Sequence, residues 1–258
     1  MESEAELKEK IALSCRILAQ QGLFKGSTGH VSTRAPGRND AMLIRGRPDE
    51  DRGLLFAEPE SVIPLDLNAK PLGKTPGVRA VGEVYIHTGM YKRFPHVNAV
   101  VHAHPPGVML CTIAGVKIRP IYGAFDASGM RIALAGLPLY ERAITISTPE
   151  LGDDLMDVMG DRDICLMYGH GIAAGGRTVE EATHRALALE TLARFNWYAA
   201  QRFDVPDIAD EDKAEWIRRD KASAQRGGTE RTDWLTYVGQ LEAFGGQIDD
   251  TGMGFGLS

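Results

Sequence analysis

Apolar residues recur at Leu7, Ile11, Cys15 and Leu18, spacings of four, four and three that lay them along one face of a helix. The pattern predicts an amphipathic helix over residues 4–22, with Gly22 as its stop. A turn rich in small residues follows, Lys25-Gly26-Ser27-Thr28-Gly29-His30. Short apolar bursts at Val31, 41–44, 54–56 and 61–65 are separated by Gly, Pro and Asp, which predicts short strands joined by turns. Residues 71–77 read as a loop and 81–93 as a helix that ends before Pro95. Residues 99–104 and 143–147 read as strands. Thr148 with Pro149 opens a helix that turns Leu151, Leu155 and Val158 inward. Residues 164–168 form a buried strand that runs into Gly169-His170-Gly171. Thr178-x-x-Glu181 is a capping box for a long helix reaching about Gln201. Residues 205–228 are charged and partly helical, and the last thirty carry Trp234, Tyr237 and Phe244 before a glycine-rich tail. With no repeat and no long linker, the chain reads as one three-layer α/β/α domain over 1–258, with a C-terminal helical extension from about 205 to 258.

Composition narrows the function classes. The 258 residues are 43% hydrophobic and 25% charged, ordinary values that exclude disordered and fibrous architectures. The net charge of −6 offers no basic excess for a nucleic acid or an anionic membrane. No apolar run approaches the ~20 residues that span a bilayer, and the charged start MESEAELKEK is unlike a secretory signal. Cys15, Cys111 and Cys165 are odd in number and lie in apolar stretches, as expected of buried thiols in a cytoplasmic protein.

The chemistry concentrates on histidine. In His102-Ala103-His104 the two imidazoles share one face of a strand, about 6.5–7 Å apart at Cα, within joint reach of one ion. His170 sits between two glycines at the end of an apolar strand. Three neutral imidazoles suit zinc, iron, cobalt or manganese with positions left open for substrate; read blandly, H-x-H is a chance pair and His170 a turn residue. Glu83 lies at a helix start, where a carboxylate is favoured by the helix dipole alone; as a functional group it would be a fourth ligand or a general acid/base. His87, four residues on, either orients Glu83 or packs. Arg45 and Arg47 flank Gly46 at a strand end, as a bidentate carboxylate clamp or a solvated pair of charges. His96 and His184 read as structural or exposed.

Four stretches together resemble the class II aldolase/adducin superfamily: Gly22-Leu23 through Gly29-His30-Val31-Ser32-Thr33-Arg34; Gly82-Glu83 through His87 to Tyr91-Lys92-Arg93-Phe94-Pro95-His96-Val97; residues 99–106 around His102-Ala103-His104; and Tyr168-Gly169-His170-Gly171 with Gly175, Thr178 and Glu180-Glu181-Ala182. The resemblance implies a central, mostly antiparallel sheet between helix layers and a divalent metal on His102, His104 and His170. It implies that Glu83 takes the place of the family's acidic residue, and that a homotetramer has active sites at its interfaces, where a C-terminal aromatic such as Trp234 or Tyr237 would reach into a neighbour.

The chain departs from the family's sugar-phosphate enzymes where these grip phosphate. Asn of the G-N-x-S turn is His30, the Thr-Gly turn reads Arg45-Gly46-Arg47, and the Ser-Ser-Gly before the acidic residue reads Ala80-Val81-Gly82. Each lost donor would leave a phosphate oxygen unpaired at roughly 1–3 kcal/mol. The G-H-x-S turn and the missing serines are similar to the decarboxylase branch, and the run from Arg45 to Pro59 most resembles the 3,4-dihydroxyphthalate decarboxylases. The implied activity is loss of carbon dioxide from a hydroxylated aromatic carboxylate. A Lewis-acidic metal would stabilise the ring carbanion, with a carboxylate held by Arg45, Arg47 or His30 and the carbon protonated by Glu83 or a metal-bound water. An aldolase on a hydroxy-carbonyl substrate and a non-haem iron oxygenase are alternatives. A non-catalytic adducin-like scaffold would have no use for the ligand set.

Overall fold

The computed structural model describes residues 2–121, 126–201, 206–224 and 230–243. Helix α1 (Glu4–Gln20) opens with a reciprocal capping box between Ser3 and Glu6 and gives way to Gly22 in the left-handed region (φ +78°). After it come β1 (His30–Arg34), β2 (Ala41–Arg45), β3 (Arg47–Pro48), β4 (Val62–Asp66), β5 (Val78–Arg79), α2 (Val84–Arg93), β6 (Ala99–Ala103), α3 (Pro106–Ala114), α4 (Ala127–Ala135), β7 (Leu139–Tyr140), α5 (Pro149–Met159), β8 (Ile164–Met167), β9 (Gly171–Gly176), α6 (Val179–Ala200), α7 (Asp210–Ala224) and α8 (Glu230–Ala243). Seven strands form one sheet in the order β4-β2-β1-β6-β9-β8-β7. Every pair in it is antiparallel except β7 with β8.

Register decides which side chains meet. His30 stands opposite His102, Ser32 opposite Val100 and Ile44, and His102 opposite Ala173. Directly paired residues share a face and their chain neighbours take the other. One face therefore carries His30, Ser32, Ile44, Val100 and His102 under α2 and α5, with a core built on Ile86, Met90, Leu155 and Met156. The other carries Val31, Leu43, Val101 and Ile172 under α1 and α6, with a larger core of Ile11, Leu18, Leu189 and Leu192. The three layers follow. All three cysteines are buried in these cores and unpaired, and burial pushes their thiols up to about 12. No helix among the described residues is long and apolar enough to cross a membrane.

The structure amends the sequence reading in several places. Leu54–Phe56 is a single 3₁₀ turn rather than a strand, because Gly53 (φ +95°) turns the chain and the Leu54 N–H is taken by the carbonyl of Gly26 in the turn before β1. Residues 143–147 pair with no strand, and β7, α3, α4 and the glycine-rich β9 come in addition. In α5 the buried stripe is Gly152, Leu155, Met156 and Met159, while Val158 is exposed. The close approach of α2 sets that rotation: a Cβ at Gly152 would lie 2.9 Å from the Tyr85 carbonyl oxygen. Thr178 caps α6 by accepting the Glu181 N–H, but the Glu181 carboxylate turns to the N–H of Arg177, so the box is half formed. The helical part of the extension is α7 and α8. Trp234 and Tyr237 pack against the core of their own chain, whereas Phe244 and the tail lie outside the described residues.

Candidate metal centre

Four elements converge at one end of the sheet. His102 is the fourth residue of β6 and fully buried. His104 follows two residues later on the same face, at the point where Pro105 and Pro106 end the strand and start α3. His170 lies in the turn between β8 and β9, made tight by Gly169 in the left-handed region (φ +58°) and by Gly171, where a Cβ would meet the Ala103 carbonyl oxygen at 2.1 Å. Glu83 occupies the N-cap position of α2, yet its carboxylate caps nothing there. It accepts instead the N–H of Ile146 at 2.9 Å.

One ligand atom from each of Glu83, His102, His104 and His170 lies within 4.8 Å of all the others. His102 Nε2 is 3.3 Å from Glu83 Oε2 and 3.0 Å from His104 Nε2, and His170 Nε2 is 3.4 Å from Glu83 Oε1. These spacings are close to the ~3.3 Å edge of a tetrahedron of ligands about 2.0 Å from a cation. His102 Nδ1–H donates to the Ile172 carbonyl (2.9 Å) and His170 Nδ1–H to the Ile144 carbonyl (3.1 Å), so each keeps its Nε2 lone pair for the cluster. Burial, then the neighbouring rings of His102 and His170, lower His104 to about 3, leaving it neutral. Lone pairs thus face lone pairs around a common centre. A divalent cation satisfies them, so the residues fit the group.

His30 stands beside this cluster, its ring 5.0 Å from that of His102. Its Nδ1 is 2.7 Å from His87 Nε2, His87 Nδ1 is 2.6 Å from Ser32 Oγ, and Ser32 Oγ is 2.7 Å from the Tyr91 hydroxyl. All four are buried. Burial and the adjacent imidazoles hold His30 well below the ordinary histidine value; His87 is lowered to about 3 by burial and His102. His87 thus orients His30, not Glu83.

The two arginines do not join the site. Arg45, 2% exposed, projects from the opposite face of the sheet, and both terminal nitrogens are taken by Asp51 (2.8 and 2.5 Å). Asp51 in turn accepts the Gly53 N–H, so Arg45 secures the loop beneath α1 and its terminal nitrogens are engaged away from the cluster. Arg47 is half-buried on β3, opposite Arg79, and no side-chain hydrogen bond ties it to the cluster among the described residues. His96 is exposed beside Asp163, and His184 bonds Ser128, both away from the cluster.

A cleft of about 600 Å³ opens over the cluster, with His104 and His170 in its lining. Lys25, Thr28, Met109 and Thr145 form other parts of its wall. Lys25 is exposed and its ammonium makes no ion pair among the described residues. The sequence reading passed over it; a cation heading a turn of small residues that ends in His30 was the available signal. It also missed the backbone of Ile144 and Ile146, which no side-chain pattern marks.

Residues 9–197 match the family described as Class II Aldolase and Adducin N-terminal domain. The chain is 38% identical over 217 residues to a 3,4-dihydroxyphthalate decarboxylase of Arthrobacter keyseri, covering 83% of this chain and 87% of that one. It is 31% identical over 191 residues to a 5-methylthioribulose-1-phosphate/5-deoxyribulose-1-phosphate aldolase of Escherichia coli, covering 73% and 82%. The crystal structure of an aldolase II superfamily protein from Pseudomonas syringae superposes with a TM-score of 0.80 over 96% of both chains at 19% identity, a likeness of fold.

Proposed function

The chain belongs to the class II aldolase and adducin family, and from that premise we propose that it is a metal-dependent carbon–carbon lyase that decarboxylates a hydroxylated aromatic carboxylate of the 3,4-dihydroxyphthalate class. The observation that carries the reading is the acceptor-only cluster of His102, His104, His170 and Glu83 at an open cleft, in a chain whose family position for a phosphate-holding Asn is His30. The similarity to a 3,4-dihydroxyphthalate decarboxylase supports the substrate class.

His102, His104, His170 and Glu83 would hold the divalent cation, whether zinc, manganese, iron or cobalt. When bound, the cation supplies a Lewis acid that offsets the negative charge left on the ring as the carbon–carbon bond breaks. The chain's own groups do the rest. Lys25 faces a substrate carboxylate across the cleft, and His30 contributes a further polar contact beside the cluster. Held by the Ile146 N–H, Glu83 takes the proton of a substrate hydroxyl and returns it to the ring carbon as carbon dioxide leaves. The balance is one hydroxylated carboxylate in, one ring C–H, one phenolate and one carbon dioxide out, with a solvent proton restoring the hydroxyl on release.

The same reading includes a homotetramer with its sites at subunit interfaces. Leu110 and Ile113 of α3 and Tyr168 are exposed apolar side chains beside the cleft, a surface that a second copy would cover. Retro-aldol cleavage of a hydroxy-carbonyl compound is the second reading, favoured by the similarity to the Escherichia coli aldolase. One experiment separates them. Metal-loaded protein is incubated with 3,4-dihydroxyphthalate and with free and phosphorylated aldols while carbon dioxide, oxygen and aldehyde are followed. Carbon dioxide from the phthalate without oxygen uptake is the expected result. Aldehyde release alone would establish the aldolase, and oxygen uptake an iron oxygenase.

A further inference from the structure

Behind His30 runs a line of buried polar groups that the decarboxylase reading leaves unassigned: His87, Ser32 and Tyr91. Its hydrogens can be placed by following donors from the far end. Tyr91 is 2% exposed and the one hydrogen-bond partner of its hydroxyl among the described residues is Ser32 Oγ. A buried phenol keeps its proton and must donate it, so Tyr91 donates to Ser32. The single Ser32 hydrogen is then free to go only to His87 Nδ1, 2.6 Å away. His87 therefore carries its hydrogen on Nε2 and donates it to His30 Nδ1 at 2.7 Å. The remaining hydrogen of His30 is on Nε2. The reverse order would leave the Tyr91 O–H buried with nothing to accept it.

We propose that Tyr91, Ser32 and His87 lock His30 in the Nε2–H tautomer, so that His30 meets the substrate as a neutral hydrogen-bond donor matched to an anionic oxygen, a carboxylate or a phenolate. His30 is then not the base of the reaction. Nor is the line a path for protons: a hydrogen drawn from it at His30 would be replaced at the expense of a tyrosinate at the buried end. Tyr91, Ser32 and His87 are positioning residues that act through His30. The tautomer assignment stands by itself; that the Nε2–H meets a substrate oxygen, and which oxygen, rests on the decarboxylase reading.

Neutron diffraction from deuterated crystals of the metal-loaded protein tests the assignment. The expected map shows deuterium on Nε2 of both His30 and His87 and on the Tyr91 oxygen toward Ser32. Deuterium on Nδ1 of His30 would overturn the proposal. In the double variant Ser32→Ala/Tyr91→Phe the line is cut at His87 Nδ1, so the expected map divides deuterium between the two nitrogens of His30. Turnover of 3,4-dihydroxyphthalate is expected to fall roughly three- to tenfold, the weight of one ordinary hydrogen bond, at unchanged metal content. A Ser32→Ala/Tyr91→Phe protein with deuterium wholly on Nε2 of His30 would show that the line sets nothing. If the wild-type map is as expected but the protein releases no carbon dioxide from the phthalate, the decarboxylase reading fails and the lock remains.

Discussion

At the scale of single residues, the cluster makes the sharpest demands. His102→Ala or His170→Ala removes one of the four proposed ligands and, for His102, a fully buried ring. Bound metal measured by elemental analysis is expected to fall to background in each, with turnover lost and the far-ultraviolet dichroism kept; full metal content in either would contradict the site. Arg45 carries a different prediction. Burial pushes the Asp51 carboxyl up, but the guanidinium of Arg45 and the Gly53 N–H pull it below its ordinary value. Asp51 thus binds protons less readily folded than unfolded, so the pair's contribution is complete above the ordinary carboxylate range and is lost as pH falls from there through the lowered folded value. Arg45→Ala is expected to cost roughly 3 kcal/mol at neutral pH, the low end for breaking a buried pair because Asp51 retains some contact with water. Urea unfolding at pH 7 and at pH 3 checks it: the loss is to shrink at the lower pH. The two arginines also show where the sequence stops being legible. H-x-H announces itself through the period of two, and Glu83 and His170 through the family pattern. Arg45 ends a strand buried along its whole length, so no alternation of polar and apolar positions marks its face. Only the register with β1 and β4 shows that it points away from His102.

At the scale of elements, the helices and the alternating strands were readable because their signals are local: the Leu7, Ile11, Cys15 and Leu18 stripe of α1, Thr148 with Pro149, Thr178 ahead of α6. What escaped is held by contacts distant in sequence. Residues 143–147 have the composition of a strand, but their peptide groups serve the site, with the Ile144 carbonyl on His170 and the Ile146 N–H on Glu83. Strand β9, Gly171–Gly176, is half glycine, and glycine-rich segments carry little strand propensity; the glycines are there because β6 at Gly171, the Met90 and Val97 side chains at Gly175 and the start of α6 at Gly176 pass too close for a side chain. Gly171→Ala tests that account. Its methyl group would press on the Ala103 carbonyl and on the His104 ring, which lies 2.9 Å from the Cβ position. Displacing a ligand's support costs metal affinity roughly 10–100-fold, and titration with a metal-sensitive dye is expected to show a loss in that range. An unchanged affinity would mean that the turn does not position His104.

At the scale of the whole molecule, the centre joins β6, the start of α2, the 143–147 segment and the β8–β9 turn, which are far apart in the chain. A cation bound there favours the folded state over the unfolded one. At a free concentration one hundred times its dissociation constant it adds about 2.7 kcal/mol. The chelated protein is therefore expected to melt at a lower temperature than the loaded one, with the difference restored on adding metal back; equal melting temperatures would mean that the cluster binds no cation in the native state. Sedimentation equilibrium tests the assembly, with a tetramer expected and a monomer at micromolar concentration contradicting interface sites. The central claim is the convergence of His102, His104, His170 and Glu83 on one cation, and anomalous diffraction at the absorption edge of the bound metal tests it most directly. The account predicts a single strong peak about 2.0–2.2 Å from Nε2 of each of the three histidines and from a carboxylate oxygen of Glu83. A peak elsewhere, or rings turned apart around an empty centre in metal-soaked crystals, would contradict it.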